Sequence, residues 1–258
     1  MGILLTIVGK FDSLYTEIQI KDFTGEKEHL LMEILFDTAN LESIRKYSQI
    51  YPFTGVTSNP SILKAEGKIE FFAHMREIRS IIGMERTLHI QTIAEDLDGI
   101  LRDADAILKN VDSRVYVKIP TTEAGLQAIM KLKAQGVGVT ATAIYSKIQG
   151  FMAIMAGADY IAPYRNRMEN LDVNFAEAIS AFRNGIEENH ANCKILAASF
   201  KNIAQVNKAL LAGAHTVTVP PQLLHSTFQM ASVQKAIDDF RADWESVQEA
   251  KTIGDLQV

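Results

Sequence analysis

Residues 114–142 read RVYVKIPTTEAGLQAIMKLKAQGVGVTAT, and they contain the unit from which most of the chain is built. The segment Arg114-Val-Tyr-Val-Lys-Ile-Pro120 is short, β-branched and apolar, as a buried strand requires. Over 122–134 the apolar residues shift to helical spacing, and 137–142 returns to a strand. Outward from this unit, the same alternation occurs eight times from Met32 onward. Strands are expected near 33–37, 53–57, 87–91, 114–119, 137–142, 159–163, 194–198 and 215–219. Helices are expected over 40–50, 70–82, 95–109, 122–134, 146–156, 172–189, 202–212 and 230–249. Strand–helix alternation at this spacing implies right-handed crossovers and a parallel sheet. Eight units closing on themselves predict an α/β fold of the (β/α)8 (TIM) barrel type, with a doubly wound open sheet as the rival. The 258 residues suit the barrel, which typically needs roughly 250.

No Pro-, Gly- or Ser-rich linker interrupts the repeat, so 32–258 reads as one domain ending in a helix. Residues 1–31 form no clear β/α pair and read as an N-terminal extension. It is either an appendage such as a hairpin or sequence upstream of a start at Met32. The last helix carries Phe240 and Trp244 four apart on one face. Closure on its own barrel and docking on a neighbouring subunit both remain open.

A net charge of −5 with no dense Lys/Arg block points away from a nucleic-acid partner. The single cysteine, Cys193, leaves no intrachain disulfide framework and suits a reducing compartment. The six histidines lack metal-ligand spacing, so no metal site is expected. No apolar run approaches the roughly 18–20 residues of a membrane span. The apolar stretch 2–9 lacks a basic leader and a cleavage site, which makes the cytoplasm the expected location.

Barrel enzymes carry their reacting groups at the C-terminal ends of the strands and in the loops beyond. The polar residues at those places are Asp37, Thr57, Asn59, Gln91, Lys118, Thr142, Tyr164, Arg167, Ser199 and Lys201. Lys118 says most, because it interrupts an apolar strand whose Tyr116, Lys118 and Pro120 share one face. Burial there lowers an amine's pKa toward neutrality, and a neutral amine is what addition to a carbonyl requires. A lysine at the strand end reaching solvent, or paired with a carboxylate, is an equally good reading of the position.

Imine chemistry needs proton transfer and a held water, which Tyr164, Gln91 and Thr142 could provide. Ordinary polar packing would account for Gln91 or Thr142 taken alone. Asp37 could orient hydroxyls or assist proton transfer; it could also cap the following helix, unless Asn40 does so. Arg167, Ser199 and Lys201 follow strands six and seven, where barrels often hold phosphate. A guanidinium fork, a hydroxyl and a point charge together match a phosphate dianion. Arg165 reads as a surface residue.

Five motifs, Asp37-Thr-Ala-Asn, Gly55-Val-Thr-Ser-Asn-Pro-Ser61, Val117-Lys-Ile-Pro120, Ala162-Pro-Tyr-Arg-Asn-Arg167 and Ala197-Ala-Ser-Phe-Lys201, together resemble the transaldolase family. The resemblance is closest to its small branch of fructose-6-phosphate aldolases and covers residues 32–247; residues 1–31 lie outside it. It implies a cofactor-free Schiff base between Lys118 and a dihydroxyacetone unit. Asp37 and Asn59 would hold donor hydroxyls, Thr57 would line the site, and Arg167 with Ser199 would hold the phosphate. Lys201 stands where the larger transaldolases usually have arginine.

True transaldolases resemble one another in carrying glutamate at the position of Gln91, phenylalanine at that of Tyr164 and serine at that of Ala162. The aldolase-type residue at all three implies reversible cleavage of fructose 6-phosphate to dihydroxyacetone and glyceraldehyde 3-phosphate. A transaldolase, or a non-catalytic barrel that binds sugar phosphates, are the alternatives. The resemblance also implies a ring-like homo-oligomer, such as a decamer, joined partly by the C-terminal helix.

Overall fold

The computed structural model describes residues 32–248 and 250–256, together with three two- or three-residue strands nearer the N-terminus. Those strands, Leu5–Thr6, Gln19–Lys21 and Lys27–Glu28, pair antiparallel in chain order. The expectation of a hairpin or start-site extension over 1–31 falls mostly outside the described residues.

The remaining strands are β1 (Glu33–Asp37), β2 (Gly55–Thr57), β3 (Thr87–Gln91), β4 (Tyr116–Pro120), β5 (Val139–Ile144), β6 (Tyr160–Pro163), β7 (Lys194–Ala197) and β8 (Thr216–Val219). Each pairs in parallel with its sequence neighbours, and β8 pairs with β1, closing an eight-stranded barrel. The open-sheet alternative is thereby excluded.

Around the barrel run α1 (Leu41–Ser48), α3 (Phe71–Ile82), α4 (Leu97–Asn110), α5 (Glu123–Ala134), α6 (Lys147–Met155), α8 (Phe175–Glu188) and α9 (Ile203–Leu211). Three short helices were not expected from periodicity: α2 (Pro60–Ala65), α7 (Arg165–Asn170) and α10 (Pro221–Phe228). All three open directly after β2, β6 and β8. With six residues each, α2 and α7 are too short for a 3.6-residue period to emerge, and α10 has eight. The chain then finishes in α11 (Ala231–Val247) and a single 3-10 turn.

Side chains alternate across the strands, and the two sets differ in chemistry. Outward residues such as Val56, Leu88, Ile90, Val117, Ile119, Ile161 and Val217 are fully buried against the helices. The inward set is largely polar, and in the N-terminal half of the barrel it forms a filled floor. There His89 stacks on Tyr116 with ring centroids 4.9 Å apart and meets the edge of Tyr160 at 5.0 Å. Lys194 and Glu33 pair beside the Tyr160 ring.

Both His89 ring nitrogens are occupied, Nδ1 by Thr140 Oγ1 at 2.8 Å and Nε2 by Thr87 Oγ1 at 3.0 Å. The Thr87 hydroxyl donates to the Thr54 carbonyl, so it accepts from His89, which places the ring proton on Nε2. Burial, then the nearby charges of Lys118 and Arg79, depress the His89 pKa to about 3. This histidine is neutral.

The strand-to-helix turns at the C-terminal face are fixed by local caps. Asn40, Asn59, Asp96, Thr122, Asn174 and Asn202 each accept a backbone N–H three residues on. A cap of this kind is worth about 1 kcal/mol. Asn40, not Asp37, caps α1, which leaves the Asp37 carboxylate to the barrel mouth.

Candidate active site

A cavity of about 880 Å³ opens at the C-terminal face. Of the candidate residues, Asp37, Asn59, Gln91, Lys118, Tyr164, Arg167, Ser199 and Lys201 line it. Thr57, Thr142 and Ala162 are buried in the barrel wall instead of lining the cavity. The side chains scattered through the sequence from 37 to 201 thus converge on one space.

Lys118 sits at the bottom of that space with 1% exposure, so it does not reach solvent as a strand-end lysine would. Its Nζ lies 3.5 Å from the Ser58 carbonyl oxygen and 5.8 Å from the centroid of the Tyr164 ring. Register places Gln91 beside it on β3 and Thr140 beside it on β5. The Tyr164 hydroxyl accepts a hydrogen bond from Thr142 Oγ1 at 3.1 Å. Two hydroxyls therefore form a connected pair close to the lysine.

Across the barrel, Thr57 Oγ1 lies 2.8 Å from Asp37 Oδ1 and 2.7 Å from Thr218 Oγ1. Desolvation raises the Asp37 pKa above the usual carboxylate range, against the opposing pull of the Lys118 charge and the Thr57 hydrogen bond. A carboxyl placed so can exchange a proton more readily than one in water. Asn59 spends its Oδ1 on the α2 cap, so it offers the cavity a donor, its Nδ2.

Two residues of the cavity lining adopt positive φ without being glycine: Ala143 at 57° and Ser199 at 68°. Ala143 marks a register shift between β5 and β6, and both residues line the cavity. Left-handed conformations of non-glycine residues cost of order 1 kcal/mol or more and persist where surroundings impose them. At Ser199 the backbone is bent so that the hydroxyl-bearing residue belongs to the cavity wall. Arg167 and Lys201 are exposed at the rim.

Sequence reasoning misplaced Arg165 and passed over His89. Arg165 is only 8% exposed, held by Glu169 and by the Gln205 carbonyl. The i, i+4 spacing of Arg165 and Glu169 marks a helical ion pair but not its burial, which comes from α9. His89 alternates with Gln91 and therefore had to face inward.

Among the described residues no group of three or more His, Cys, Asp or Glu side chains is arranged to hold a metal ion. Within the same residues no helix is long and apolar enough to cross a membrane. Burial pushes the Cys193 thiol up to about 12.

A closed α/β barrel with a buried lysine at the cavity floor and hydroxyl, carboxyl and cationic groups above it defines a class, the (β/α)8-barrel enzymes. Residues 34–255 match the model of the family Transaldolase/Fructose-6-phosphate aldolase. The chain belongs to that family and is an enzyme of the aldolase and transaldolase type. It is 50% identical over 222 residues, 86% of its own length and 100% of the relative's, to a protein from Streptococcus pneumoniae (strain ATCC 700669 / Spain 23F-1). That relative is named probable fructose-6-phosphate aldolase.

Proposed function

We propose that this enzyme reversibly cleaves fructose 6-phosphate to dihydroxyacetone and glyceraldehyde 3-phosphate through a Schiff base on Lys118. The observation that carries the reading is the Lys118 amine at the cavity floor, flanked by the Tyr164–Thr142 hydroxyl pair. The amine adds to the substrate's C2 carbonyl, and loss of water gives an iminium. Removal of the C4 hydroxyl proton breaks the C3–C4 bond, and its electron pair passes into the iminium to give an enamine. Glyceraldehyde 3-phosphate leaves, a proton is added at C3, and water releases dihydroxyacetone.

In this scheme Tyr164, with Thr142 and Gln91, handles the proton and the water. Asp37 and Asn59 hold donor hydroxyls, and Thr57 orients Asp37. Arg167, Ser199 and Lys201 hold the phosphate at the rim, and Ala162 leaves room beside Tyr164. The name of the 50% identical relative supports the aldolase over the transaldolase reading.

The test is product formation from fructose 6-phosphate alone, followed over many turnovers, then with erythrose 4-phosphate added. Steady release without the acceptor is expected. Release only with the acceptor would make the enzyme a transaldolase.

The proposal extends to a cytoplasmic homo-oligomer, with 1–31 as an extension of the barrel domain. The family match beginning at residue 34 supports the latter. Supporting the homo-oligomer, α11 has no buried residue, and Val233, Ile237, Phe240 and Val247 are exposed on one of its faces.

A further inference from the structure

We infer that Arg165 is a positioning residue for the phosphate-holding groups, locking the loop after β6 to the loop after β7. The inference rests on the reading of Arg167, Ser199 and Lys201 as that phosphate site. Those groups come from two strands, and the distance between their loops must be held for one dianion to meet both. Arg165 makes contact on both sides. Its guanidinium Nε and Nη2 donate to Glu169 Oε1 at 3.0 and 2.7 Å, which ties it within α7. Its Nη1 donates to the Gln205 carbonyl of α9 at 3.0 Å. Its own backbone N–H donates to Ala198 O at 3.0 Å, immediately before Ser199.

Gln205 carries the connection further, because its Oε1 accepts the Lys201 backbone N–H at 2.7 Å. Arg165 therefore stands one residue after Tyr164 and two before Arg167, and bonds directly to a residue whose side chain fixes the Lys201 backbone. The Phe175 ring, 5.7 Å from the guanidinium, closes the remaining side. Ser199 sits at φ 68°, a conformation that relaxes unless its neighbours impose it. The backbone bond from Arg165 to Ala198 is one of those constraints. A buried fork with two acceptors on different elements is suited to this task in a way that lysine, with a single point charge, is not.

The experiment compares condensation of dihydroxyacetone with glyceraldehyde 3-phosphate and with unphosphorylated glyceraldehyde. The ratio of the two kcat/KM values reads the grip on phosphate. Arg165→Met keeps the apolar stem and leaves Glu169 near solvent. We expect the ratio to fall about tenfold, mostly through KM for the phosphorylated aldehyde, since small misplacements of binding groups cost one to two orders of magnitude. Arg165→Lys is expected to restore part of the loss. Glu169→Gln, milder for folding, should shift the ratio in the same direction by less.

Arg167→Met is run alongside and should lower the ratio most. If Arg167→Met lowers the ratio while Arg165→Met and Glu169→Gln slow both aldehydes equally, Arg165 is only structural and the inference fails. If Arg167→Met leaves the ratio unchanged, the phosphate reading itself falls, and the inference with it.

Discussion

A lysine enclosed among strands gives up water for little return unless its nitrogen is used. Lys118 is 1% exposed, with the Ser58 carbonyl 3.5 Å from its Nζ. Methionine has similar length and no charge to desolvate, so Lys118→Met should raise the melting temperature while abolishing turnover. Mass spectrometry after borohydride treatment with dihydroxyacetone should find an adduct on the native protein and none on the variant. An undiminished adduct in the variant would place the imine on another amine.

Much at this scale could be read in the chain itself. A charge interrupting an apolar strand marked Lys118, and the strand ends and the loops beyond marked Asp37, Gln91 and Ser199. Arg165 could not be read this way, because its burial comes from α9 folding back some 40 residues later. His89 escaped because it sits mid-strand between Thr87 and Gln91, and its threonine partners on β3 and β5 follow only from the closed barrel.

Among the elements, β4 and α5 meet at an unusually close point. A Cβ built on Gly125 would lie 2.0 Å from the Pro120 carbonyl oxygen, at the end of the strand that bears Lys118. Alanine there must push α5 away from that strand end and disturb the Thr122 cap, which is bonded to the Gly125 N–H. Gly125→Ala should therefore destabilise the fold by about 1–3 kcal/mol, as overpacking does, and lower kcat as well. Urea unfolding and initial rates check both parts; unchanged values would show that the helix has room to move.

The long helices were legible because each presents several turns of apolar spacing. The short α2, α7 and α10 were not, although Asn59-Pro60 and Pro220-Pro221 mark a cap and an N-terminal turn in retrospect. Each of those three pieces contributes residues to the cavity lining, so the sequence conveyed the strand-borne part of the site better than the part on short helices.

For the molecule as a whole, the polar floor of the barrel links stability to pH. His89 has a pKa of about 3 when folded and close to 6.5 when unfolded. Between those values the unfolded chain binds a proton that the folded one refuses. Its stability is therefore full above the unfolded pKa and declines as pH falls toward 3. At pH 5 the loss from this one group is about 2 kcal/mol.

His215, lowered to about 4 by burial and then by the Arg183 and Lys194 charges, acts in the same sense. Asp37, whose pKa is raised, acts in the opposite one, since protonating it relieves the cost of a desolvated carboxylate. The stability difference between pH 7 and pH 5 should shrink by about 2 kcal/mol in His89→Phe, measured by urea unfolding. An identical loss in both proteins would assign the pH sensitivity elsewhere. At the same scale, deleting the residues after Gln229 should reduce the number of subunits per particle, read from mass in solution. An unchanged subunit number would exclude α11 as the joining element.

The filled floor also governs traffic. Among the described residues, His89, Tyr116, Tyr160 and the Glu33–Lys194 pair fill the N-terminal end of the barrel, so traffic runs through the C-terminal face, and whatever enters last there leaves first. In the proposed mechanism the dihydroxyacetone unit bonded at Lys118 would lie behind the phosphorylated aldehyde held near the rim. Departure is therefore a queue: aldehyde first, ketone second, and the reverse on assembly. The barrel's topology then imposes the same kinetic order as the covalent bond proposed at Lys118.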